Sequence, residues 1–460
     1  MRRVLVRLGL AAALAATLLT VAAVLIRPRP TLPAAQSAAP PTDSVTDRIA
    51  RAQQRLADVP GDWPAWAALG SAYLEQARIT ADPALYPKAE QAARTSLSLR
   101  RDGNSDALIV LGALANARHD FPLARDLAAQ AIKINTFNPL GYAVRADALT
   151  QLGDAPGATA AVQRMLDLRP GMAAFTRASY DLELRGLLTE ATDLMRLALA
   201  GAVDPHDIAF CRTQLGDLAF GRGDLDTATA EYTAAIAASA ATPSTQPEAG
   251  AQQAGSGTPQ AVGPAASGAL HGMARVKAAR GDLAGAIADY GALTARLPAT
   301  ATLLEYADLL RLAGRGAEAD AQLELAAVTE RLFTANGGTD GLVTAALALA
   351  RNRPADAVAA ARAEWSRRKH PDVADTLAWS LHAAGRDAEA LSYARRAVAG
   401  GAHPASYAYH LGMIQLSLGQ RAAARTEIAR ALSTNPHFSP VDAPTARRAL
   451  SGLTSTGGIR

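Results

Sequence analysis

Histidine, cysteine and paired carboxylates carry most enzyme chemistry near neutral pH, so their spacing in this chain decides what reactions it could perform. The eight histidines are His119, His206, His271, His370, His382, His403, His410 and His437, and none falls in HExxH or another metal-ligand spacing. His403 and His410 lie seven residues apart, two helical turns, but His403 precedes Pro404 and so belongs to a loop. Cys211 is the only cysteine, which excludes an intramolecular disulfide and a multi-cysteine zinc site. It reads as a small apolar residue inside a helix. The chain has no G-x-S-x-G elbow, P-loop or dinucleotide fingerprint. Carboxylates are abundant along the helical stretches, so pairs of them are uninformative. No catalytic constellation, metal site or cofactor is expected.

The elements that must position any functional residue are helix pairs. The stretch from Ala374 to Pro436 holds two copies of one unit. The first runs through Thr376-Leu-Ala-Trp-Ser-Leu381 to Gly385, Ala390, Ala394 and Ala397; the second has Ala408, Leu411-Gly412, Gly419, Ala424, Ile428, Ala431 and Pro436. Small residues at these places fit a close crossing of two antiparallel helices, and the proline stops the second helix. No such unit can bury its apolar face alone, so neighbours are required.

The pattern extends upstream. Ser44-Val-Thr-Asp47 has capping-box spacing and opens a helix with Val45, Ile49 and Leu56 on one face. Trp66-x-x-Leu69-Gly70-x-x-Tyr73 starts the first unit, whose second helix, Pro87 to Leu99, is delayed by an insertion. Leu108-x-x-Leu111-Gly112 opens the second unit and Tyr142, Ala146 and Gly153 mark the third; Phe175 and Gly186 belong to a degenerate fourth. Leu215-Gly216 and Gly223 give a clear fifth, Gly281-Asp-Leu283 with Tyr290 a sixth, and Tyr306 with Gly314 a seventh whose second helix reaches about Phe333. The eighth, Leu342 to Arg368, is the weakest match, and a helix from Ala443 to Leu453 should cap the last unit.

Two stretches break the pattern. Residues 240–268 are mainly Ala, Pro, Gly, Ser, Thr and Gln with Glu248 as the only charge, and such a composition predicts a disordered insert between two halves, 44–239 and 269–438. At the N-terminus, Arg2, Arg3 and Arg7 (within 1–7) precede an uncharged run, 8–26, which as a helix would span roughly 28 Å at about 1.5 Å per residue. That length suits a transmembrane signal anchor with the following array outside the cytoplasm; a cleaved signal peptide, leaving a secreted chain, is the competing reading. Residues 27–43 read as a Pro/Ala-rich tether and 439–460 as capping helix and tail.

The totals exclude little else. The 460 residues carry a formal charge of +4, with four lysines, Lys88, Lys133, Lys277 and Lys369. No basic cluster is interleaved with aromatics, so nucleic acid is not an expected partner. Stacked repeats need no single deep core, and an elongated solenoid is the natural outcome.

From about residue 45 to 453 the sequence resembles the tetratricopeptide-repeat (TPR) superfamily. More narrowly, Trp63-Pro-Ala-Trp66-Ala-Ala-Leu-Gly, Asp375-Thr-Leu-Ala-Trp379 and Asn435-Pro-His-Phe-Ser-Pro440 look like segments of bacterial membrane-anchored or exported TPR proteins. The resemblance implies an all-α, right-handed solenoid of about ten helix pairs, with an N-terminal transmembrane helix, whose concave face binds peptides or proteins. Carrying over the family's concave positions gives Tyr180, Glu183, Asp217, Phe220, His271, Arg275, Asp308, Arg311, Asp375, Trp379, His382, Tyr409 and Met413 as candidate protein-binding residues, with Thr213 beside them. Each has a plainer role, as packing for Trp379 and Tyr409 and as solvated helix face for Asp217 and Asp308. The carboxylate clamp of chaperone-binding members is not implied, because Ala67 and Ser71 occupy its first-repeat positions. The expected function is a non-catalytic, membrane-tethered scaffold. The alternative is an accessory or substrate-presenting subunit of an envelope enzyme system of the cytochrome c maturation or cell-wall synthesis type.

Overall fold

A computed structural model describes residues 44–80, 82–240, 266–402 and 404–455. The expected anchor at 8–26, the tether at 27–43 and most of the insert lie outside the described residues, and no described helix is long and apolar enough to cross a membrane. The insert's edges do fall within view: a helix runs to Ala240, and Ser267 already opens the next.

All regular structure among the described residues is helical. The leading helix α1 is Val45–Asp58. Ten antiparallel pairs follow: α2 (Trp63–Thr80) with α3 (Tyr86–Leu99), α4 (Ser105–Ala117) with α5 (Phe121–Ile134), α6 (Pro139–Leu152) with α7 (Ala155–Leu168), α8 (Met172–Leu184) with α9 (Leu188–Ala200), and α10 (Pro205–Gly221) with α11 (Leu225–Ala240). The second half continues with α12 (Ser267–Ala279) and α13 (Leu283–Arg296), α14 (Thr300–Leu312) and α15 (Gly316–Ala335), α16 (Gly341–Ala350) and α17 (Pro354–Arg367), α18 (Pro371–Ala383) and α19 (Asp387–Ala397), and α20 (Ala405–Ser417) and α21 (Arg421–Thr434). The cap α22 is Asp442–Ser455. Even the weak eighth unit is a helix pair, and α15 reaches two residues beyond the expected Phe333.

Local sequence explains the boundaries. Ser44 and Asp47 form the expected capping box, the Ser44 side chain accepting from the Asp47 N–H. Asn or Asp side chains cap α4, α5, α6, α7 and α13 in the same way, satisfying donors that would otherwise be orphaned. Close crossing depends on small residues, as at Gly412, where an added Cβ would lie 2.6 Å from Ile428 Cγ1 and 3.1 Å from the Ile428 nitrogen. The pair turn takes a positive φ, which glycine supplies in most units; His119 and Asn352 adopt it at 61° and 54° in the second and eighth.

First helices of neighbouring units pack on one another along much of the array, as in α2 with α4, α4 with α6 and α18 with α20, and the second helices stand outside them. The first helices therefore line the concave side, as the resemblance implies.

The winding differs from the open, elongated form expected. The turns inside units two to five abut, one for one, the connections that lead into units eight, nine, ten and the cap. Arg118 Nε donates to the Asn336 carbonyl at 2.9 Å and Arg367 Nη2 to the His119 carbonyl at 2.6 Å. The Lys369 N–H donates to the Leu152 carbonyl at 3.2 Å, and Arg368 Nη1 to Gln151 Oε1 at 2.7 Å. Further along, the backbones at Gly186 and Gly401 meet, and Asn435 Nδ2 donates to the Phe220 carbonyl at 2.7 Å. Successive superhelical turns thus share a seam, with an offset of six units, and the returning units face the first helices of units four to six. The repeat pattern specifies how neighbours pack; the rotation that accumulates over six of them leaves no mark in it.

Candidate binding chamber

A cavity of about 500 Å³ lies between the first helices of units four to six on one side and the returning units nine, ten and cap on the other. Tyr180 and Glu183 reach it from α8, Asp217 and Phe220 from α10, and Arg275 from α12. Spacing explains the grouping: positions three apart on one helix share a face, and equivalent positions in stacked units align. From across the seam come Asp372 at the start of α18, Tyr407 on α20 and Phe438. Two smaller cavities of about 260 and 210 Å³ adjoin it, one sharing Tyr180 and Glu183, the other sharing Phe220 and Arg275 and reaching Asp308.

The polar geometry of the chamber is acidic. Asp217 accepts from the Tyr232 hydroxyl at 2.7 Å and lies 4.0 Å from Arg275, whose guanidinium sits 4.2 Å from the Phe220 ring centre. The Tyr407 hydroxyl donates to Asp372. In the adjoining cavity Glu305 accepts from the Tyr290 hydroxyl at 2.6 Å and bonds His271 at 2.8 Å. Burial, with Asp217 and Asp372 nearby, pushes the Glu183 carboxyl up to about 7. Burial, with Asp442 and Glu305, takes Asp308 up to about 6 despite Arg311. Burial would raise Glu305 as well, but the His271 bond, that ring's charge, Arg275 and the Tyr290 hydroxyl outweigh it and hold the group down to about 2.

The thirteen residues named from sequence separate into distinct groups. Tyr180, Glu183, Asp217, Phe220 and Arg275 come together in the chamber, though Phe220 is only 4% exposed and presents its ring to Arg275. His271 and Asp308 belong to the adjoining cavity, through the Glu305 bond and directly. Arg311 turns away from it and pairs with Asp320 at 3.4 Å. Asp375, Trp379, His382, Tyr409 and Met413 form packing between α18 and α20. Trp379 stacks on His410 at 4.1 Å and on His382 at 4.8 Å, His410 bonds Asp375 at 2.9 Å, and Tyr409, 3% exposed, packs with Met413 in the same cluster. Thr213 is buried and donates back to the Ala209 carbonyl.

Sequence reasoning missed Asp372, Tyr407, Glu305 and Phe438. Tyr407 stands beside the small Ala408 of the repeat pattern, but only the superhelical return brings it and Asp372 opposite α8. Among the described residues, no group of three or more His, Cys, Asp or Glu side chains is placed to hold a metal.

The helix pair α20–α21 carries the crossing glycine and terminal proline of the repeat. Residues 405–438 match the tetratricopeptide-repeat family. That match covers one of the ten stacked helix pairs. No curated protein matches the chain. Similar solved structures include a tetratricopeptide repeat protein from Parabacteroides merdae, 16% identical, covering 62% of this chain and 98% of that one with a TM-score of 0.34. Another is PilW, a type IV pilus biogenesis factor, 20% identical, covering 50% of this chain and 97% of its own with a TM-score of 0.37. A human IFIT1 dimer with PPP-AAAA is 13% identical over 76% of this chain and 77% of its own, with a TM-score of 0.45.

Proposed function

We propose that this chain is a non-catalytic scaffold that holds a segment of another polypeptide in the chamber between its superhelical turns. The observation that carries the reading is the chamber itself. Aromatic and carboxylate side chains from four units and from Phe438 line it beside leucines and small residues, a lining suited to hydrogen bonds and ring contacts with an extended segment. The uncharged run at 8–26 after three arginines supports attachment to a membrane with the array outside the cytoplasm, and cleavage there would release the same scaffold.

A photo-crosslinking amino acid at Tyr180, introduced into the full chain and illuminated in cells, tests the reading. Polypeptide adducts are expected there and not at the outward-facing Asp193, which is 63% exposed. Absence of adducts, or turnover of a substrate by the purified protein, overturns it. Recovery of one enzyme at equal stoichiometry would assign the scaffold to the accessory role in an envelope enzyme system.

A further inference from the structure

The charges inside the chamber do not balance. Glu183, Asp217 and Asp372 face it, joined at its margins by Glu305, which bonds His271, and by Asp308; the arginine lining it is Arg275, while Arg177 in the adjoining cavity is paired with Asp147 at 2.8 Å and Arg368, near Tyr180, is paired with Glu364. The Arg275 guanidinium is committed: it lies against Asp217 and covers the Phe220 ring. Asp372 has the Tyr407 hydroxyl and the neutral-favouring, buried His370 beside it. Glu183 makes no hydrogen bond or ion pair with another described residue that would neutralise it, and Tyr180, 39% exposed, offers its ring next to that carboxyl. The formal +4 of the whole chain comes from residues outside the described array, whose basic and acidic side chains balance, so the acidity is local to the chamber. A carboxylate removed from water without a cation is costly, and an incoming cation would remove that cost.

The structure also shows how such a cation would be held. Arg275 is seated between an aromatic face and a carboxylate, and Tyr180 and Glu183, three residues apart on α8, bring an aromatic ring and a carboxyl to the same cavity.

Resting on the peptide-binding reading above, we propose that the chamber selects a cationic segment, with an arginine or lysine side chain of the partner polypeptide seated against Tyr180 and paired with Glu183 and Asp372. Aromatic stacking and charge-assisted hydrogen bonding both favour arginine, whose planar guanidinium can make the two contacts at once. The raised Glu183 carboxyl adds a linkage: a bound cation draws it back toward the ordinary range, so binding near pH 7 releases a proton and tightens as pH rises.

The test uses the full chain and three fluorescein-labelled octapeptides, alternating Ser with Arg, with Lys or with Glu, followed by anisotropy. The Arg and Lys peptides should bind and the Glu peptide should not. Glu183→Gln should weaken the Arg peptide by about tenfold, the loss of one charge-assisted contact, whereas Asp193→Asn on the outer face should leave it unchanged. Affinity for the Arg peptide should rise between pH 6 and 8 in the parent and stay flat in Glu183→Gln. Equal binding by parent and Glu183→Gln overturns the inference, as does equal weakening by Asp193→Asn. If the Glu peptide binds while Tyr180 still crosslinks to polypeptide, the cation preference falls and the scaffold reading stands; if nothing crosslinks at Tyr180, both fall.

Discussion

Glu183 shows how a residue can be placed for binding at the expense of stability. Its carboxyl is driven up to about 7 by burial and by the neighbouring Asp217 and Asp372, so the folded state binds a proton that the unfolded chain, titrating near 4.5, has already lost at neutral pH. For an acid whose folded value is raised, the destabilisation is absent below the unfolded value and grows as pH rises toward the folded one. Glu183→Gln should therefore stabilise the protein at pH 8, by on the order of 1 kcal/mol, and change little at pH 4.5. Urea unfolding at the two pH values checks this, and a loss of stability at pH 8 would show that Glu183 has a cation or donor partner in the folded protein. The family's concave positions name Glu183, and it lines the chamber. Nothing in the sequence signals the three-carboxylate environment, because Asp372 is 189 residues away and arrives only through the superhelix.

At the scale of elements, what was legible is what repeats. Small residues at Gly70, Gly112, Gly216 and Gly412 mark the helix crossings because an added Cβ at each would press on the partner helix or a neighbouring side chain. Phe220 and Tyr409 were harder to place, since position on the concave face does not say whether the next unit covers the ring. Tyr232 shows how tight such covering is. Its ring is fully buried between α10 and α12, its hydroxyl bonds Asp217, and a Cβ at Gly272 would come within 2.3 Å of the ring. The bonded ring has nowhere to move, so Gly272→Ala should destabilise the array by about 1–3 kcal/mol through overpacking. Shortening the opposing side chain should recover part of the loss: Tyr232→Leu with Gly272→Ala is expected to cost less than the two single changes summed. Additive costs by urea unfolding would mean that the two sites do not press on each other.

The whole molecule is governed by the seam, and two histidines in it, His370 buried and His119 half-buried, make the seam sensitive to acid. His119 packs against Phe121 and Phe333, and its Nδ1 lacks a hydrogen-bond partner, with Asp340, Glu364 and Arg368 the charged groups nearby. His370 accepts from the Asp372 N–H through Nδ1 and leaves Nε2 unpartnered, with Asp372 and Arg368 as its charged neighbours. Burial lowers both below the ordinary 6.5, more than the nearby carboxylates raise them. For a base whose folded value is depressed, protons go preferentially to the opened state, so the contribution is intact above pH 6.5 and is lost as pH falls below it. Amide exchange at Leu152 to Asp154 and Lys369 to Asp372 should accelerate between pH 6.5 and 5 beyond its intrinsic pH trend. In His119→Gln with His370→Asn that extra acceleration should disappear, and its persistence would place the acid response elsewhere.

A matched pair of glycines separates the seam from the local turn. Gly186 and Gly385 occupy the same turn in units four and nine, with φ of 76° and 70°, so alanine at either meets similar left-handed strain, about 1 kcal/mol. Their surroundings differ. A Cβ at Gly385 would meet nothing within 4 Å, whereas one at Gly186 would lie 2.6 Å from the Gly401 carbonyl oxygen, backbone against backbone across the seam. A main-chain oxygen cannot rotate aside as a side chain would, so the two superhelical turns must part. Gly186→Ala should thus enlarge the radius of gyration in small-angle X-ray scattering and expose the connection at residues 400–402 to proteolysis, while Gly385→Ala should lose only the turn's strain and keep the parent's dimensions. Sequence alone cannot tell these glycines apart, because the pattern that sets each turn is the same and the partner lies six units onward. Identical scattering from the two variants would mean that the array in solution is wound more openly than this seam requires, leaving the chamber without its far wall.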